Sequence, residues 1–238
     1  MFQLIYAVQV AITTFMLIHT SILDIKYREV DPKLWLFYSP LMIFLYFDIK
    51  MINLLIYIYS LFTVIIVFFA FYKLSFMGGA DLFAVLIVSI SNAVVHPLFF
   101  ARLSELGIEP LVIVFYSSLF IIMSGIINLV SNFRHTKGLK FHTRLILAFS
   151  ARRIRVGQFI NSKFLFPLTE IDDNGNEILR MGFSVEEDDS YWREVYKRLV
   201  NERKVSLDKY IWVAWGVPVL PFLLAGYIIS LVIGLPFS

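Results

Sequence analysis

Two aspartates lie at the edges of long apolar segments, where a charged side chain is costly. Asp24 ends the first of six such segments, and Asp81 begins the fourth. Charged residues at the edge of a membrane span are often functional. Two carboxylates on different helices at one depth can share a proton, so that one activates water and the other protonates a carbonyl oxygen. Because such a pair titrates as a unit, neither role is assigned to one residue.

The same two residues also have a structural interpretation. Asp24 is compatible with a polar residue at the membrane interface. Asp81 follows Gly78, Gly79 and Ala80, in a position where an aspartate often caps a helix. Three small residues before a carboxylate would also let an extended peptide approach the backbone closely. Position alone therefore leaves catalysis and structure both open.

The composition requires lipid around much of the chain. Of its 238 residues, 59% are hydrophobic and 16% are charged, whereas a soluble domain carries about 25% charged residues. The sequence contains no cysteine, which excludes disulfides, thiolate catalysis and cysteine-ligated zinc. It contains no nucleotide-binding loop, serine elbow or zinc-peptidase motif, and no basic-aromatic pattern of a nucleic-acid module. We therefore expect no metal, cofactor or nucleic-acid partner.

Six apolar segments predict an all-α polytopic membrane protein with six transmembrane helices. A helix needs roughly 20 apolar residues to cross the hydrocarbon core. With six crossings, nearly all Lys and Arg residues of the connections face one side, which the positive-inside rule makes cytoplasmic. Both termini then lie outside. The segments are Phe2–Leu23, Leu34–Phe47, Met51–Tyr72, Leu82–Phe100, Pro110–Val130 and Tyr210–Phe237.

These segments divide the chain into three parts. Residues 1–130 form a predicted five-helix membrane domain that carries both aspartates. Residues 131–209 are rich in charge and form a predicted cytoplasmic soluble insert. Residues 210–238 are the predicted sixth helix.

The insert is predicted to be a small α+β module. Asn174 and Gly175 stand between two apolar runs, which is a β-hairpin signal. Apolar residues recur at helical spacing over Tyr191–Lys204. Asp188 or Asp189 is positioned to cap that helix.

The residues around the two aspartates resemble a known family. Residues 77–81, Met-Gly-Gly-Ala-Asp, resemble the Gly-x-Gly-Asp motif of membrane aspartic peptidases, with Ala80 in place of the second glycine. Residues 24–30, Asp-Ile-Lys-Tyr-Arg-Glu-Val, resemble the Asp-x-x-x-Arg-x-Val/Ile stretch of prepilin and preflagellin peptidases. Residues 217–221, Val-Pro-Val-Leu-Pro, are similar to the paired prolines in the last helix of preflagellin peptidases. The archaeal preflagellin branch fits best.

This resemblance implies an aspartic endopeptidase of the cell membrane. It implies removal of a short basic leader from preflagellin or pilin-like precursors at the cytoplasmic face, with the precursor and the lipid bilayer as partners. Bacterial relatives often carry a cysteine-containing segment and N-methylate their product, so we expect no methyltransferase activity here. The catalytic residues implied are Asp24 and Asp81, with site support from Gly78, Gly79, Ala80, Arg28 and Glu29.

Several polar residues keep two interpretations. Glu29 and Asp31 either meet the basic leader or pair with neighbouring cations. Arg28 either acts on an aspartate or anchors at lipid headgroups.

Other polar residues are interpreted as structural. His19 is expected to form a hydrogen bond between helices. Asp48 and Glu109 are interpreted as loop residues on the outer side.

Two other functional classes stay open on the residues alone. A small transporter would use the same two aspartates to relay protons or bind a cation. Such proteins usually place their acids near the midplane and often contain inverted repeats, and no such repeat is visible here. A membrane adaptor would instead use residues 131–209 to bind a partner.

Overall fold

The structure is a computed structural model. It describes residues 2–28, 30–73, 79–101, 104–172, 176–180, 182, 187–215 and 218–235. The chain divides into two compact units. The helical unit contains residues 1–121 and 218–238, and the mixed unit contains residues 122–217.

Helices dominate the chain, and the strands lie in its C-terminal half. The elements in chain order are α1 (Phe2–Tyr27), α2 (Pro32–Tyr38), a 3-10 helix (Ser39–Ile43), α3 (Phe44–Asp48), α4 (Leu54–Lys73), α5 (Gly79–Ser91), a 3-10 turn (Ser104–Leu106), α6 (Glu109–Asn132), α7 (Phe141–Ser150), β1 (Ala151–Arg155), α8 (Val156–Ile160), β2 (Leu165–Pro167), β3 (Thr169–Ile171), β4 (Glu177–Leu179), α9 (Asp189–Asn201), β5 (Tyr210–Trp215) and α10 (Val219–Val232).

Two of the described helices are long and apolar enough to cross a membrane. They are Gln3–Tyr27, within α1, and Glu109–Asn132, which is α6. Shorter apolar helices cover Leu54–Phe69, Asp81–Ser91 and Val219–Val232. The mostly helical class with a small strand-containing region is confirmed, while the six-span topology stays a prediction.

The predicted second span is not one helix. Its residues are divided among α2, the 3-10 helix Ser39–Ile43 and α3. Pro40 lies in the 3-10 helix. Proline has no N–H and its ring clashes with the preceding turn of an α-helix, so it interrupts the hydrogen-bond ladder.

The predicted fourth span is helical only in its first part. α5 ends at Ser91, nine residues before Phe100, the predicted end of the span. The Asn92 side chain donates to the Val88 carbonyl oxygen at 3.0 Å, and local bonds of this kind compete with a continuing helix. Pro97 follows and disfavours helical geometry in the residue before it.

The predicted sixth helix is wrong over its first residues. Tyr210–Trp215 forms the central strand β5, which pairs antiparallel with β1 on one side and β2 on the other. The helix begins only at Val219, after Pro218. A short apolar run is compatible with a buried strand or a helix, and its partner strands lie far away in sequence.

The core of the helical unit lies between α1, α5 and α10. Met16 and Leu17 of α1 are fully buried in one cluster with Ala84 of α5 and Leu220 of α10. α10 also approaches α6 closely at Gly226. A Cβ at Gly226 would overlap the backbone nitrogen and Oγ of Ser117.

The mixed unit has a local architecture that matches its predicted pattern. β3 and β4 form an antiparallel hairpin, whose predicted tip, Asn174-Gly175, lies outside the described residues. α9 begins where predicted, and the Asp188 carboxylate accepts from the Ser190 N–H at 2.8 Å as its N-cap. The core of this unit includes Phe159, Tyr196 and Val213.

Candidate active site

Asp24 lies in the last turn of α1 and is buried. Its Oδ2 accepts a hydrogen bond from the backbone N–H of Leu220, at 3.2 Å. Leu220 belongs to the first turn of α10, and the residue before that helix, Pro218, supplies no side-chain cap. The carboxylate therefore takes the place that a capping side chain usually holds at a helix N-terminus.

Asp81 lies in the first turn of α5 and is half-buried. α5 begins at Gly79, so Gly79 and Ala80, directly before Asp81, are part of the helix start rather than an extended segment. An acidic residue in the first turn is favoured by the positive end of the helix.

Hydrogen bonds join the first half of α1 to the C-terminal end of α5 and show how the two helices align. Gln9 donates from Nε2 to the Ser91 carbonyl oxygen at 2.6 Å, and Asn92 Nδ2 lies 3.5 Å from Thr13 Oγ1. Asn92 also accepts from the Tyr227 hydroxyl at 3.0 Å, so α10 meets the same contact between α1 and α5.

The two aspartates lie equally far, along their own helices, from the contact between Thr13 and Asn92. Asp24 lies eleven residues after Thr13, and Asp81 lies eleven residues before Asn92. At about 1.5 Å per helical residue, each is about 16 Å from the contact. α2, which follows the Asp24 end of α1, also packs against α5. Both carboxylates therefore lie at the same end of the helical unit, and their action as a catalytic pair stays a prediction.

Arg28 directly follows α1 and is half-buried. Its φ of 56° is in the left-handed region, which non-glycine residues rarely adopt. Burial lowers the pKa of its guanidinium, and the Asp24 carboxylate partly opposes this change. Whether Arg28 acts on the aspartate or anchors at lipid headgroups stays a prediction.

The other predicted site residues differ in what the structure says about them. Glu29 and Gly78 lie outside the described residues. Gly79 and Ala80 are the first two residues of α5. A Cβ at Gly79 would lie 3.6 Å from the Tyr72 ring, which is ordinary contact, so this position does not require glycine.

Two further polar residues have structural partners. The Asp31 carboxylate accepts from the Lys33 N–H at 2.8 Å and caps α2. His19 Nδ1 lies 2.8 Å from the Tyr38 hydroxyl, which confirms the predicted hydrogen bond between helices.

Two buried acids at the opposite end contradict the loop interpretation. Asp48 and Glu109 are only 2% and 3% exposed. Asp48 accepts from Gln9 Nε2 at 3.3 Å. A glutamine inside an apolar span indicates that a polar partner is near. Gln9 is therefore the sequence signal from which a buried acid such as Asp48 could have been predicted. No sequence signal distinguishes Glu109 from a loop residue.

Family comparisons cover most of the chain. A model of the type IV leader peptidase family matches residues 11–126, the region that contains both aspartates. A model of the archaeal peptidase A24 C-terminus, type II, matches residues 143–235, which include α10. No curated protein matches the chain. With both family models matched in chain order, the chain belongs to the type IV leader peptidase family, in its archaeal form.

Proposed function

We propose that the chain is a membrane aspartic endopeptidase that removes the basic leader of archaeal preflagellin or type IV pilin-like precursors. Family membership supports leader-peptide cleavage. The observation that carries the catalytic proposal is the alignment of α1 with α5, from which Asp24 and Asp81 lie at one end of the helical unit. The structure and the comparisons give no support to a transporter or an adaptor.

The two carboxylates and one water supply every group that the reaction needs. The ionised carboxylate takes a proton from the water, whose oxygen attacks the scissile carbonyl carbon. The protonated carboxyl donates to the carbonyl oxygen, which forms a tetrahedral intermediate. When the C–N bond breaks, the leaving nitrogen takes a proton from the pair, and one hydroxyl of the tetrahedral intermediate returns a proton to it as the new carboxyl group forms. The pair ends with one shared proton, as it began.

The proposed topology places this chemistry at the cytoplasmic face. A multi-pass arrangement with both termini outside puts the basic residues of 131–209 in the cytoplasm, as the positive-inside rule requires. A precursor with a short basic leader would present its cleavage site at the same face. Arg28, Glu29, Gly78, Gly79 and Ala80 adjoin the two aspartates in sequence and are the proposed site support.

The test is cleavage of a purified precursor with a basic leader, followed by mass determination of the product. We expect Asp24→Asn and Asp81→Asn each to lower the cleavage rate by about 10²–10⁴-fold, since each removes one acid–base group. Asp188→Asn in the mixed unit is the control, because asparagine still caps α9 and cleavage should continue. Near-normal cleavage by either variant of the pair would refute the proposal.

A further inference from the structure

The two prolines of the last helix have no part in the reaction as described so far. Pro218 immediately precedes α10, and Pro221 lies in its first turn, so neither interrupts the helix. We infer that the N-terminus of α10 positions Asp24 for catalysis through the backbone N–H of Leu220. This inference rests on the proposed function, since it assumes that Asp24 reacts.

The prolines reduce the number of donors at this helix start. The first N–H groups of a helix have no partner within the helix. Proline has no N–H, so neither Pro218 nor Pro221 can donate. Of the four positions at the start of α10, only Val219 and Leu220 retain an N–H. The Leu220 group binds Asp24 across 196 residues of sequence.

The surroundings of this contact make it selective for a carboxylate. Leu220 is fully buried and Asp24 is 8% exposed, so water competes little for the donor. A backbone N–H and the positive end of a helix both favour the charged form of the group that they face. The bond engages Oδ2 and so fixes the orientation of the whole carboxylate. Leu220 is thus a positioning residue that acts through Asp24.

Few ionisable groups surround Asp24 on the elements that pack against α1. Arg28 interacts with it electrostatically, and Asp81 lies at the same end of the helices. The 3-10 helix Ser39–Ile43 contributes no ionisable group. Among the described residues, the groups on these elements and on α2, which meets α1 through Tyr38, are Asp81 on α5, Tyr227 on α10, Lys33 and Tyr38 on α2, and Tyr6, His19, Lys26, Tyr27 and Arg28 on or next to α1. All of them stay unchanged in the experiment below.

The experiment removes the Leu220 N–H and records the pH dependence of kcat/KM for leader cleavage. Leu220→Pro removes the donor at a helix start, where proline is tolerated. We expect the acidic limb of the profile to move up by about one to two pH units, because a hydrogen bond to a charged group is lost. Leu220→Ala keeps the N–H and loses the side chain, so the acidic limb of its pH profile should stay at the wild-type pH. Val219→Pro controls for a new proline in the same turn.

A second variant removes the donor without changing the shape of the helix. Replacing Leu220 by its α-hydroxy acid analogue changes the backbone amide to an ester and keeps the side chain. If Leu220→Pro does not fold, this ester variant still tests whether the Leu220 N–H positions Asp24. We expect the same upward shift of the acidic limb. An unchanged limb in the ester variant, or an equal shift in Leu220→Ala, overturns the inference. Retained activity in Asp24→Asn would instead refute the proposed function itself.

Discussion

The helical unit and the mixed unit satisfy their polar groups in different ways. In the helical unit, several buried polar side chains meet partners on other elements, as Gln9 meets Asp48 and Tyr227 meets Asn92. In the mixed unit, most ion pairs are local and partly exposed, such as Arg193 with Asp189 and Lys197 with Glu194.

The difference agrees with the predicted surroundings of each unit, lipid for the helical unit and water for the mixed unit. Lipid offers no hydrogen bonds, so a polar group in an apolar unit must find its partner within the protein. Water can replace an exposed partner, and exposed ion pairs contribute little to stability. A buried polar contact in the helical unit therefore shows which elements lie next to each other. The contact between Asp24 and Leu220 does so for α1 and α10. The following substitutions test this contrast, each with a matched control in the mixed unit where one exists.

The largest expected effect comes from Gly226. In Gly226→Ala the new methyl group would overlap Ser117 on α6, and we expect a loss of stability of about 1–3 kcal/mol from overpacking. Gly182→Ala in the mixed unit is the control, since no atom of a described residue lies within 4 Å of a Cβ there. Thermal unfolding in detergent measures both. Equal melting temperatures for the two variants would contradict the close approach of α10 to α6.

A smaller loss is expected from Tyr227→Phe. It removes the hydroxyl that donates to Asn92 Oδ1 in the buried part of the helical unit, and an unsatisfied buried group costs about 1–3 kcal/mol. Tyr210→Phe removes an exposed hydroxyl, which accepts from Arg155 Nε at 3.3 Å in the mixed unit. That change should leave the unfolding midpoint nearly unaltered. If both variants lost the same stability, the contrast between the units would be wrong.

The N-cap of α9 gives a pH-dependent prediction. Hydrogen bonds from Ser190 hold the pKa of Asp188 below its ordinary value. Because this pKa is depressed by folding, the stabilisation is present above about pH 4 and is lost as the pH falls through the folded-state pKa. Asp188→Ala should therefore lower the melting temperature at neutral pH, with a difference that narrows in acid. Asp188→Asn keeps a capping oxygen without the charge, so its melting temperature should lack this acid dependence.

The smallest effect is expected at Gly79. Gly79→Ala places a methyl group in ordinary contact with the Tyr72 ring, and alanine favours helices more than glycine does. If Gly79 supports the site only as the start of α5, leader cleavage should change by less than about threefold, equivalent to roughly 0.6 kcal/mol. A large loss of cleavage with unchanged unfolding would show that the substrate needs the glycine itself.

Local patterns predicted several elements correctly. The long apolar runs predicted α1 and α6, because few other structures accommodate so many apolar residues. The hairpin β3–β4 and the Asp188 cap depend on residues within a few positions of one another. The break between α2 and α3 was also within reach of the sequence, since Pro40 marks it.

The wrong predictions concern residues whose environment depends on partners far away in the sequence. β5 is a strand because β1 and β2, more than 40 residues earlier, pair with it. Asp48 is buried because Gln9 on another helix meets it. Hydropathy assigned both to the wrong environment, since it considers each segment by itself.

By itself, the sequence determined a composition that predicts a membrane protein, the position of Asp24 and Asp81 at the edges of apolar segments, and the resemblance of their neighbours to those of leader peptidases. These are properties of composition and of short motifs, which do not depend on the tertiary structure. Only the tertiary structure decided that both aspartates lie at one end of the helical unit and that Leu220 holds one of them. Those contacts join residues far apart in the chain, and packing of the helices, not local preference, selects them.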